Sequence, residues 1–371
     1  MKRQADQPIR VLVVEDSRAQ RELLVGLLRA AGDFMVVETA GDGKEALAAA
    51  LRLRPDVIVM DIHLPILDGY EATRQIMRQC PTPIVLVSSN DDAARRSIEA
   101  LAVGALAVVS KPRGRIGAPA APPADDDCAS FLTTVRLMAD VRVVTRYPAR
   151  LLTPDRRPPI ADQVGTSIVG RRSSFVAPRV LAIATSTGGP AALQTILGGL
   201  GAGFPLPILL VQHIARGFVS ALVEWLDSSL PLPVRLAGQG ERLLPGQVYL
   251  APEDSHLLVG DPGFVDLLPI AGSDRFCPSA DRLFESVARA YGASAIGLVM
   301  TGMGDDGTRG LLALRAAGAL TLAQDAASCI VYGMPRAAIE AGAIMRIEAL
   351  TALASTILAL AGSVTHDFKA L

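Results

Sequence analysis

Residues 179–197 read RVLAIATSTGGPAALQTIL and decide the fold of the C-terminal half of the chain. A continuous apolar run precedes a glycine-rich turn and then apolar residues at helical spacing, which predicts a strand, a tight turn and a helix. The same alternation continues along the chain and is typical of a parallel, doubly wound sheet in one domain, residues 179–371. The predicted strands of this domain are Val180–Thr185, Ile208–Gln212, Val248–Ala251, Ala295–Met300 and Ala319–Ala323.

Residues 8–145 show a second alternation of the same kind and predict another α/β domain. Its strands read as continuous apolar runs, as expected for parallel strands that are covered on both faces. They are predicted at Val11–Glu15, Met35–Thr39, Val57–Asp61, Ile84–Ser88 and Ala107–Ser110. Residues 146–178 are rich in Pro, Arg and Ser without a sustained period, which predicts a linker. The expected fold is therefore two doubly wound parallel-sheet domains joined by that linker.

The composition disfavours several function classes. The 371 residues include 36 basic and 37 acidic side chains, so a formal net charge of −1 gives no electrostatic reason to expect nucleic acid. The four cysteines show no C-x-x-C spacing, which disfavours a metal or disulfide scaffold and fits the reducing cytoplasm. The N-terminus lacks a signal-peptide core and the apolar run Ala349–Val364 is too short to span a bilayer, so no membrane insertion is expected.

Five polar residues end or follow the strands predicted for the N-terminal domain. They are Glu15, Asp16, Asp61, Ser88 and Lys111. Because ligands bind beyond the carboxyl ends of strands in an open parallel sheet, we expect these side chains to meet at one edge. Three carboxylates repel one another unless a cation is present, and Mg²⁺ prefers such oxygen ligands. A carboxylate there can accept a phosphoryl group, although an acid at a strand end can also be a helix cap.

A serine, a histidine and an aspartate each follow a predicted strand of the C-terminal domain. Ser186 lies in the tight turn, His213 follows PILLVQ, and Asp306 lies in the loop MTGMGDDG. A histidine can deprotonate a serine hydroxyl and a buried aspartate can fix the histidine tautomer, which together make a serine hydrolase. A serine at such a turn is also a common helix cap. Spacing alone does not choose between Asp305 and Asp306 as the acid.

The loop MTGMGDDG also meets the formal pattern of a dinucleotide-binding turn. Gly302, Gly304 and Gly307 form G-x-G-x-x-G after a predicted strand, and Asp325 lies about 20 residues further on. The two acidic residues of the loop would lie where a pyrophosphate carries its negative charge, which disfavours a nicotinamide cofactor. The residues alone leave this alternative open.

The N-terminal motifs VLVVEDSR, PDVIVMDIHLPILDGYEA, PIVLVSS and SKP resemble the receiver domain of two-component response regulators over residues 8–145. The resemblance implies a flavodoxin-like fold with Mg²⁺ as its cofactor. It implies Asp61 as phosphoacceptor, Glu15, Asp16 and Asp61 as metal ligands, and Ser88 and Lys111 as switch residues. A cis Lys111–Pro112 bond is also expected. Val108 stands where many receivers have an aromatic residue.

The C-terminal motifs TSTGGP, LVQHIARGF, PGQVYLAPEDSHL, VMTGMGDDGTRGL and LAQDAASCIVYGMPRAAIEAGA resemble the catalytic domain of chemotaxis protein-glutamate methylesterases. The resemblance implies a Rossmann-like domain in which Ser186 is the nucleophile, His213 the base and Asp306 the orienting acid. It implies the Met303 backbone N–H as the oxyanion donor and no cofactor for the esterase.

Together the two resemblances imply a phosphorylation-regulated enzyme that removes methyl esters from glutamyl residues of chemoreceptors and deamidates glutamines. The expected partners are methyl-accepting chemoreceptors and a chemotaxis-type histidine kinase as the phosphodonor. Two alternatives stay open. One is the same enzyme in a chemosensory pathway unrelated to motility, and the other is a catalytically silent receiver that serves as a phosphate sink.

Overall fold

A computed structural model of the chain describes residues 7–88, 98–112, 126–141, 178–261 and 263–362. Nearly all of the predicted linker 146–178 lies outside these residues, so the linker stays a prediction. The strands are β1 (Ile9–Val14), β2 (Phe34–Ala40), β3 (Val57–Asp61), β4 (Ile84–Ser88), β5 (Ala107–Ser110), β6 (Val180–Thr185), β7 (Ile208–Gln212), β8 (Val234–Leu236), β9 (Val248–Leu250), β10 (Ser255–Val259), β11 (Val265–Pro269), β12 (Ala295–Val299), β13 (Leu320–Gln324) and β14 (Arg346–Glu348).

Helices alternate with most of these strands, as the sequence pattern predicts. They are α1 (Arg18–Ala30), α2 (Gly43–Leu53), α3 (Gly69–Gln79), α4 (Asp126–Ala139), α5 (Gly189–Leu200), α6 (Val219–Ser229), α7 (Ala280–Tyr291), α8 (Thr308–Ala316), α9 (Met334–Glu340) and α10 (Leu350–Gly362). Residues 98–102 are helical as well.

The N-terminal sheet is parallel throughout, with the strand order β2-β1-β3-β4-β5. Helices α1 and α4 cover one face, and α2 and α3 cover the other. Val11 and Val13 point to the first face and Leu12 and Val14 to the second, and all four are fully buried. A strand covered on both faces must be apolar at every position, which explains the continuous run in the sequence. This order is that of the flavodoxin-like fold.

The C-terminal sheet has seven parallel strands in the order β14-β13-β12-β6-β7-β9-β8. Helices α5, α6 and α10 pack on one face, and α7, α8 and α9 pack on the other. From β6 the chain first builds the sheet towards β8 and then returns to β12 on the opposite side of β6. The carboxyl ends of β6 and β12 therefore flank the switch point of the sheet, which is where ligands bind in open α/β sheets.

The structure confirms the predicted fold and adds elements that the sequence pattern did not predict. Strands β3, β4, β5, β6 and β7 have the predicted bounds, whereas β8, β14 and the antiparallel hairpin β10–β11 were not predicted. The apolar run Ala349–Val364, which is too short to span a bilayer and is expected to form a buried C-terminal helix, contains helix α10 of 13 residues. Among the described helices, none is both long and apolar enough to cross a membrane.

Candidate phosphoacceptor and esterase sites

The carboxyl edge of the N-terminal sheet brings the predicted acidic cluster together. Glu15 follows β1, Asp61 ends β3, and Lys111 follows β5. The Lys111 ammonium lies 2.8 Å from Asp61 Oδ2 and 2.9 Å from Glu15 Oε2. Ser88 ends β4, is buried, and accepts a hydrogen bond on its carbonyl from Lys111 N at 2.8 Å. Asp16 offers an oxygen atom to the same cluster.

This cluster carries more negative charge than positive charge. Burial is the main reason why the pKa of Glu15 is raised, and the neighbouring charge of Asp61 raises it further. Burial also opposes the charged form of Lys111, but hydrogen bonds and charge from Asp61 and Glu15 outweigh burial and raise the pKa of Lys111. One ammonium therefore faces three carboxylates, and a further cation would relieve their mutual repulsion.

The donor set fits a hard divalent cation such as Mg²⁺. One oxygen from each of Glu15, Asp16 and Asp61 lies within 4.8 Å of the others. Glu15 Oε2 is buried and pairs with the Lys111 ammonium at 2.9 Å. Ser88 Oγ is also buried and has no hydrogen-bond partner among the residues that the structure describes. Three carboxylates beside a single ammonium, and a buried hydroxyl with no hydrogen-bond partner in the described residues, match a site for a metal and a phosphoryl group.

Two further expectations for the N-terminal domain have different outcomes. The cis peptide bond in the described residues is Cys277–Pro278, and the expectation of a cis Lys111–Pro112 bond is wrong. Val108, which stands where an aromatic switch residue is common, is buried in the sheet at 5% exposure. An inward-swinging aromatic ring therefore has no counterpart at this position.

Strand register places Ser186 and His213 next to each other at the edge of the second sheet. Thr185 and Gln212 are paired between β6 and β7, so the residue after each strand emerges at the same level. His213 N donates to the Thr185 carbonyl at 2.9 Å, and Gln212 Nε2 donates to the Ser186 carbonyl at 2.9 Å. Because β12 lies on the other side of β6, the loop that follows it brings Asp306 to the same edge.

The half-buried His213 and the buried Asp306 form a hydrogen-bonded pair. His213 Nε2 lies 2.9 Å from Asp306 Oδ2 and 3.1 Å from the Pro278 carbonyl oxygen. The ring of Phe276 stacks on the imidazole, with 5.6 Å between centroids and 14° between planes. Because Nε2 faces the carboxylate, Nδ1 is the ring nitrogen that remains for proton transfer with the serine.

The carboxylate of Asp306 lies at the N-terminus of α7 and is only 3% exposed. It accepts hydrogen bonds from Ala280 N at 2.7 Å, Asp281 N at 3.0 Å and Ser279 Oγ at 3.0 Å. Burial by itself would raise the pKa of Asp306, but His213 and these backbone donors outweigh burial and lower it. The group therefore stays ionised, and it can both fix the tautomer of His213 and stabilise its protonated form.

Asp305 has a different environment, and the structure distinguishes it from Asp306. Its side chain is 55% exposed and lies 3.4 Å from the exposed Arg275 guanidinium. It makes no contact with His213 in the described part of the chain. Of the two adjacent aspartates, only Asp306 is placed to orient the histidine.

Ser186 and Met303 complete the site. Ser186 is half-buried at the turn before α5, and no hydrogen bond joins its Oγ to His213 among the described residues. Catalytic hydrogen bonds often tighten only when substrate is bound. Gly302 abuts the serine, since a Cβ on this glycine would lie 2.7 Å from Ser186 Cβ. The N–H of Met303, the next residue, donates to no acceptor in the described residues and is available for an oxyanion.

Comparisons with known proteins agree with this geometry. A family model described as CheB methylesterase matches residues 181–357, and one described as response regulator receiver domain matches residues 11–116. The protein-glutamate methylesterase/protein-glutamine glutaminase 4 of Myxococcus xanthus (strain DK1622) is 46% identical over 349 residues, which are 94% of this chain and 96% of that protein. This chain belongs to the protein-glutamate methylesterase/protein-glutamine glutaminase family.

Two further proteins are similar to this chain. The protein-glutamate methylesterase/protein-glutamine glutaminase 3 of Anaeromyxobacter dehalogenans (strain 2CP-C) is 47% identical over 352 residues, covering 93% of this chain and 97% of that protein. The crystal structure of the Thermotoga maritima CheB methylesterase catalytic domain is 35% identical, with a TM-score of 0.48, and covers 50% of this chain and all of that one.

The glycines of the loop MTGMGDDG serve close packing within this methylesterase domain. The space beside Gly302 is filled by Ser186 and the Met334 sulfur, and the space beside Gly307 by the ring of Phe284. A pyrophosphate-binding turn needs open space next to its glycines, where the phosphates approach the backbone. Close packing at Gly302 and Gly307 therefore explains why these glycines match the dinucleotide pattern.

Sequence reasoning missed three residues that shape the esterase site. Ser279 donates to Asp306, Phe276 stacks on His213, and Gln212 holds the Ser186 carbonyl. Only Gln212 had a signal in the sequence, since a polar residue directly before His213 ends an otherwise apolar strand. The other two lie in an irregular segment before α7, and no periodic pattern links that segment to β7 or β12.

The two adjacent aspartates allow a matched test of the acid. We expect Asp306→Asn to lower kcat for methyl-ester hydrolysis by about 10⁴-fold, because the histidine loses the carboxylate that fixes its tautomer. Asp305→Asn should leave kcat within about twofold, since an exposed ion pair contributes little. Steady-state assays of methanol release by the two full-length variants measure both effects. An equal loss in Asp305→Asn would contradict the assignment of the acid.

Proposed function

We propose that this chain is a phosphorylation-regulated hydrolase that removes γ-methyl esters from glutamyl residues of chemoreceptors and deamidates glutamines at the same site. The observation that carries the proposal is the hydrogen-bonded pair of His213 and the buried Asp306 beside Ser186 at the switch point of the second sheet. The curated relatives that match almost the whole chain are named for both activities. We further infer that the enzyme acts in the cytoplasm, which suits its four free cysteines.

The proposed reaction uses this chain's own residues at every step. His213 Nδ1 takes the proton of the Ser186 hydroxyl while Oγ attacks the ester carbonyl carbon, and Asp306 stabilises the imidazolium that forms. The Met303 N–H donates to the oxyanion of the tetrahedral intermediate. The intermediate then expels methoxide, which takes the proton from His213 and leaves as methanol.

The second half-reaction regenerates the enzyme. His213 deprotonates a water molecule, which attacks the acyl-serine carbonyl, and Ser186 leaves with the proton returned by the histidine. The products are a free glutamate side chain and the resting hydroxyl. A glutamine substrate passes through the same tetrahedral geometry and releases ammonia in place of methanol. No step of this scheme uses a cofactor in the esterase domain.

We propose that the receiver domain controls this reaction through Asp61. A chemotaxis-type histidine kinase would supply the phosphoryl group, and Asp61 would accept it. Glu15, Asp16 and Asp61 would hold Mg²⁺, which supplies charge neutralisation during the transfer. Lys111 and Ser88 would then contact the phosphoryl oxygens, as their positions around Asp61 allow.

A contact between the domains supports control by occlusion. Met303 and Ile330 of the esterase domain are half-buried and pack against the receiver's hydrophobic cluster, which includes Phe131 and Val135. Met303 carries the proposed oxyanion donor, and Ile330 contacts Gly188, two residues after the nucleophile. A receiver in this position would hinder a receptor helix from reaching Ser186. Phosphorylation would then favour a form in which this contact is released.

The proposed nucleophile is tested by methanol release from a methylated receptor fragment. We expect Ser186→Ala to lower kcat by on the order of 10⁴- to 10⁶-fold, because no other group can form the acyl intermediate. Ser273→Ala is the control, since Ser273 is exposed on the wall of a neighbouring pocket that also contains Phe276. Its activity should equal that of the wild type. Methanol release that survives in Ser186→Ala would refute the proposed chemistry.

The phosphoacceptor is tested with two aspartates that flank the same strand. We expect Asp61→Asn to keep basal esterase activity but to lose stimulation by a small phosphodonor, because the acceptor oxygen is gone. Asp56 lies just before β3, at the opposite end of the strand, and its side chain accepts a hydrogen bond from Arg10 N at 2.8 Å. Asp56→Asn should retain stimulation. Stimulation that persists in Asp61→Asn would move the acceptor to another residue.

Occlusion is tested by removing the receiver. We expect a fragment of residues 179–371 to have a higher kcat/KM than the unphosphorylated full-length chain, because substrate no longer competes with the receiver for the site. Adding the separate receiver domain at high concentration should lower the activity of the fragment again. Equal kcat/KM values for fragment and full-length chain would exclude occlusion and leave the catalytic proposal intact.

A further inference from the structure

Thr301 is a buried polar residue to which the proposed reaction assigns no part. It follows β12 directly after Met300, is 1% exposed, and precedes the loop that carries Met303. All of its backbone and side-chain polar atoms are hydrogen-bonded, which is the condition for burying them without a large cost. Its partners come from three separate segments of the chain.

The carbonyl of Thr301 holds the strand end that leads into the nucleophile. It accepts from Ser186 N at 3.0 Å and from Thr185 Oγ1 at 2.9 Å. The Ser186 N–H is therefore occupied and does not compete with Met303 as an oxyanion donor. Gln324 Oε1 accepts from Thr301 N at 2.9 Å, so the threonine is also fixed to β13.

The hydroxyl of Thr301 connects the residue after Ser186, Thr187, to a third segment at Val331. It donates to the Thr187 carbonyl at 2.8 Å and accepts from Val331 N at 3.0 Å, with the Val331 carbonyl at a longer 3.4 Å. Gly302 N also donates to the Val331 carbonyl, at 3.0 Å. The hydroxyl thus bridges the residue after Ser186 and the segment that braces the oxyanion loop.

We propose that the Thr301 hydroxyl is a positioning group that sets the distance between the Ser186 nucleophile and the Met303 oxyanion donor. This inference rests on the proposed esterase function. Thr301 touches neither substrate nor the reacting atoms, and it acts through the Thr187 carbonyl and the Val331 N–H. An oxyanion donor is effective only at a well-defined distance from the attacked carbonyl, and a shift of about 1 Å can cost on the order of 10²-fold in rate.

The chain offers a closely matched control in Thr321. This residue lies in β13, is fully buried, and has the same hydroxyl pattern as Thr301. Its Oγ1 donates to the Ala343 carbonyl at 2.7 Å and accepts from Met345 N at 3.1 Å. Neither partner belongs to the nucleophile turn or the oxyanion loop. Replacing either threonine by valine removes one donated and one accepted hydrogen bond with little change of shape.

The experiment compares full-length Thr301→Val, Thr301→Ser and Thr321→Val in methanol release from a methylated receptor fragment, together with thermal unfolding. We expect Thr301→Val to lower kcat by about 10- to 100-fold while KM stays within about threefold, since ground-state binding is unaffected. Thr301→Ser keeps the hydroxyl and should restore kcat to within about threefold of the wild type. Thr321→Val should show a fall in Tm comparable to that of Thr301→Val but a kcat within about twofold of the wild type.

The possible results separate positioning from structure and from the underlying function. Equal kcat values for Thr301→Val and Thr321→Val would overturn the inference, because lost hydrogen bonds would then act only through stability. A Thr301→Ser variant as slow as Thr301→Val would also overturn it, because the methyl group rather than the hydroxyl would matter. Failure of the esterase proposal has a distinct signature, namely no difference between the wild type and Ser186→Ala, and it would overturn the positioning role as well.

Discussion

The buried carboxylate of Asp306 is the group on which the esterase site depends. An ion at 3% exposure costs several kcal/mol unless donors replace its water, and here the His213 ring, the Ser279 hydroxyl and two N–H groups of α7 replace it. These donors exist only if the N-terminus of α7 faces the loop after β12. Gly310 permits this approach of α7 and α8, since a Cβ there would lie 2.6 Å from Phe284 Cβ. The geometry of the catalytic residues therefore depends on the packing of α7 against α8.

In each domain the site lies at the carboxyl edge of a parallel sheet, but the balance of charge at the two sites differs. In the esterase domain the charge of Asp306 is fully compensated by fixed donors, so the site is preorganised before substrate arrives. In the receiver a single ammonium, that of Lys111, faces three carboxylates, and Ser88 Oγ has no hydrogen-bond partner in the described part of the chain. That surplus of negative charge would favour the binding of a cation at the receiver. A regulatory domain and a catalytic domain are expected to differ in this way.

Features that depend on neighbouring residues in the sequence could be predicted, whereas features that depend on contacts between distant segments could not. Buried parallel strands must be apolar along their whole length, so β3 to β7 could be predicted with their bounds, and the structure brings the polar residues at the strand ends together as expected. Strands β8 and β14 have only three residues each and carry exposed positions, so no apolar run marks them. Ser279 and Phe276 reach the site through the packing of α7, which no local pattern encodes. Spacing left Asp305 and Asp306 open and the family resemblance implied Asp306, and in three dimensions the loop places Asp306 beside His213.

The contact between the domains falls on segments that already hold the nucleophile. Met303 and Ile330 lie one residue beyond Gly302 and one before Val331, and Gly302 N donates to the Val331 carbonyl. The same two segments are joined to the turn at Ser186 through Thr301. Under the proposed control, a receiver that packs on Met303 and Ile330 would influence the reaction in two ways, by covering the site and by biasing the loops that shape it. Both effects would act through a difference in contact free energy between the bound and released forms, and that difference would limit any activation by phosphorylation.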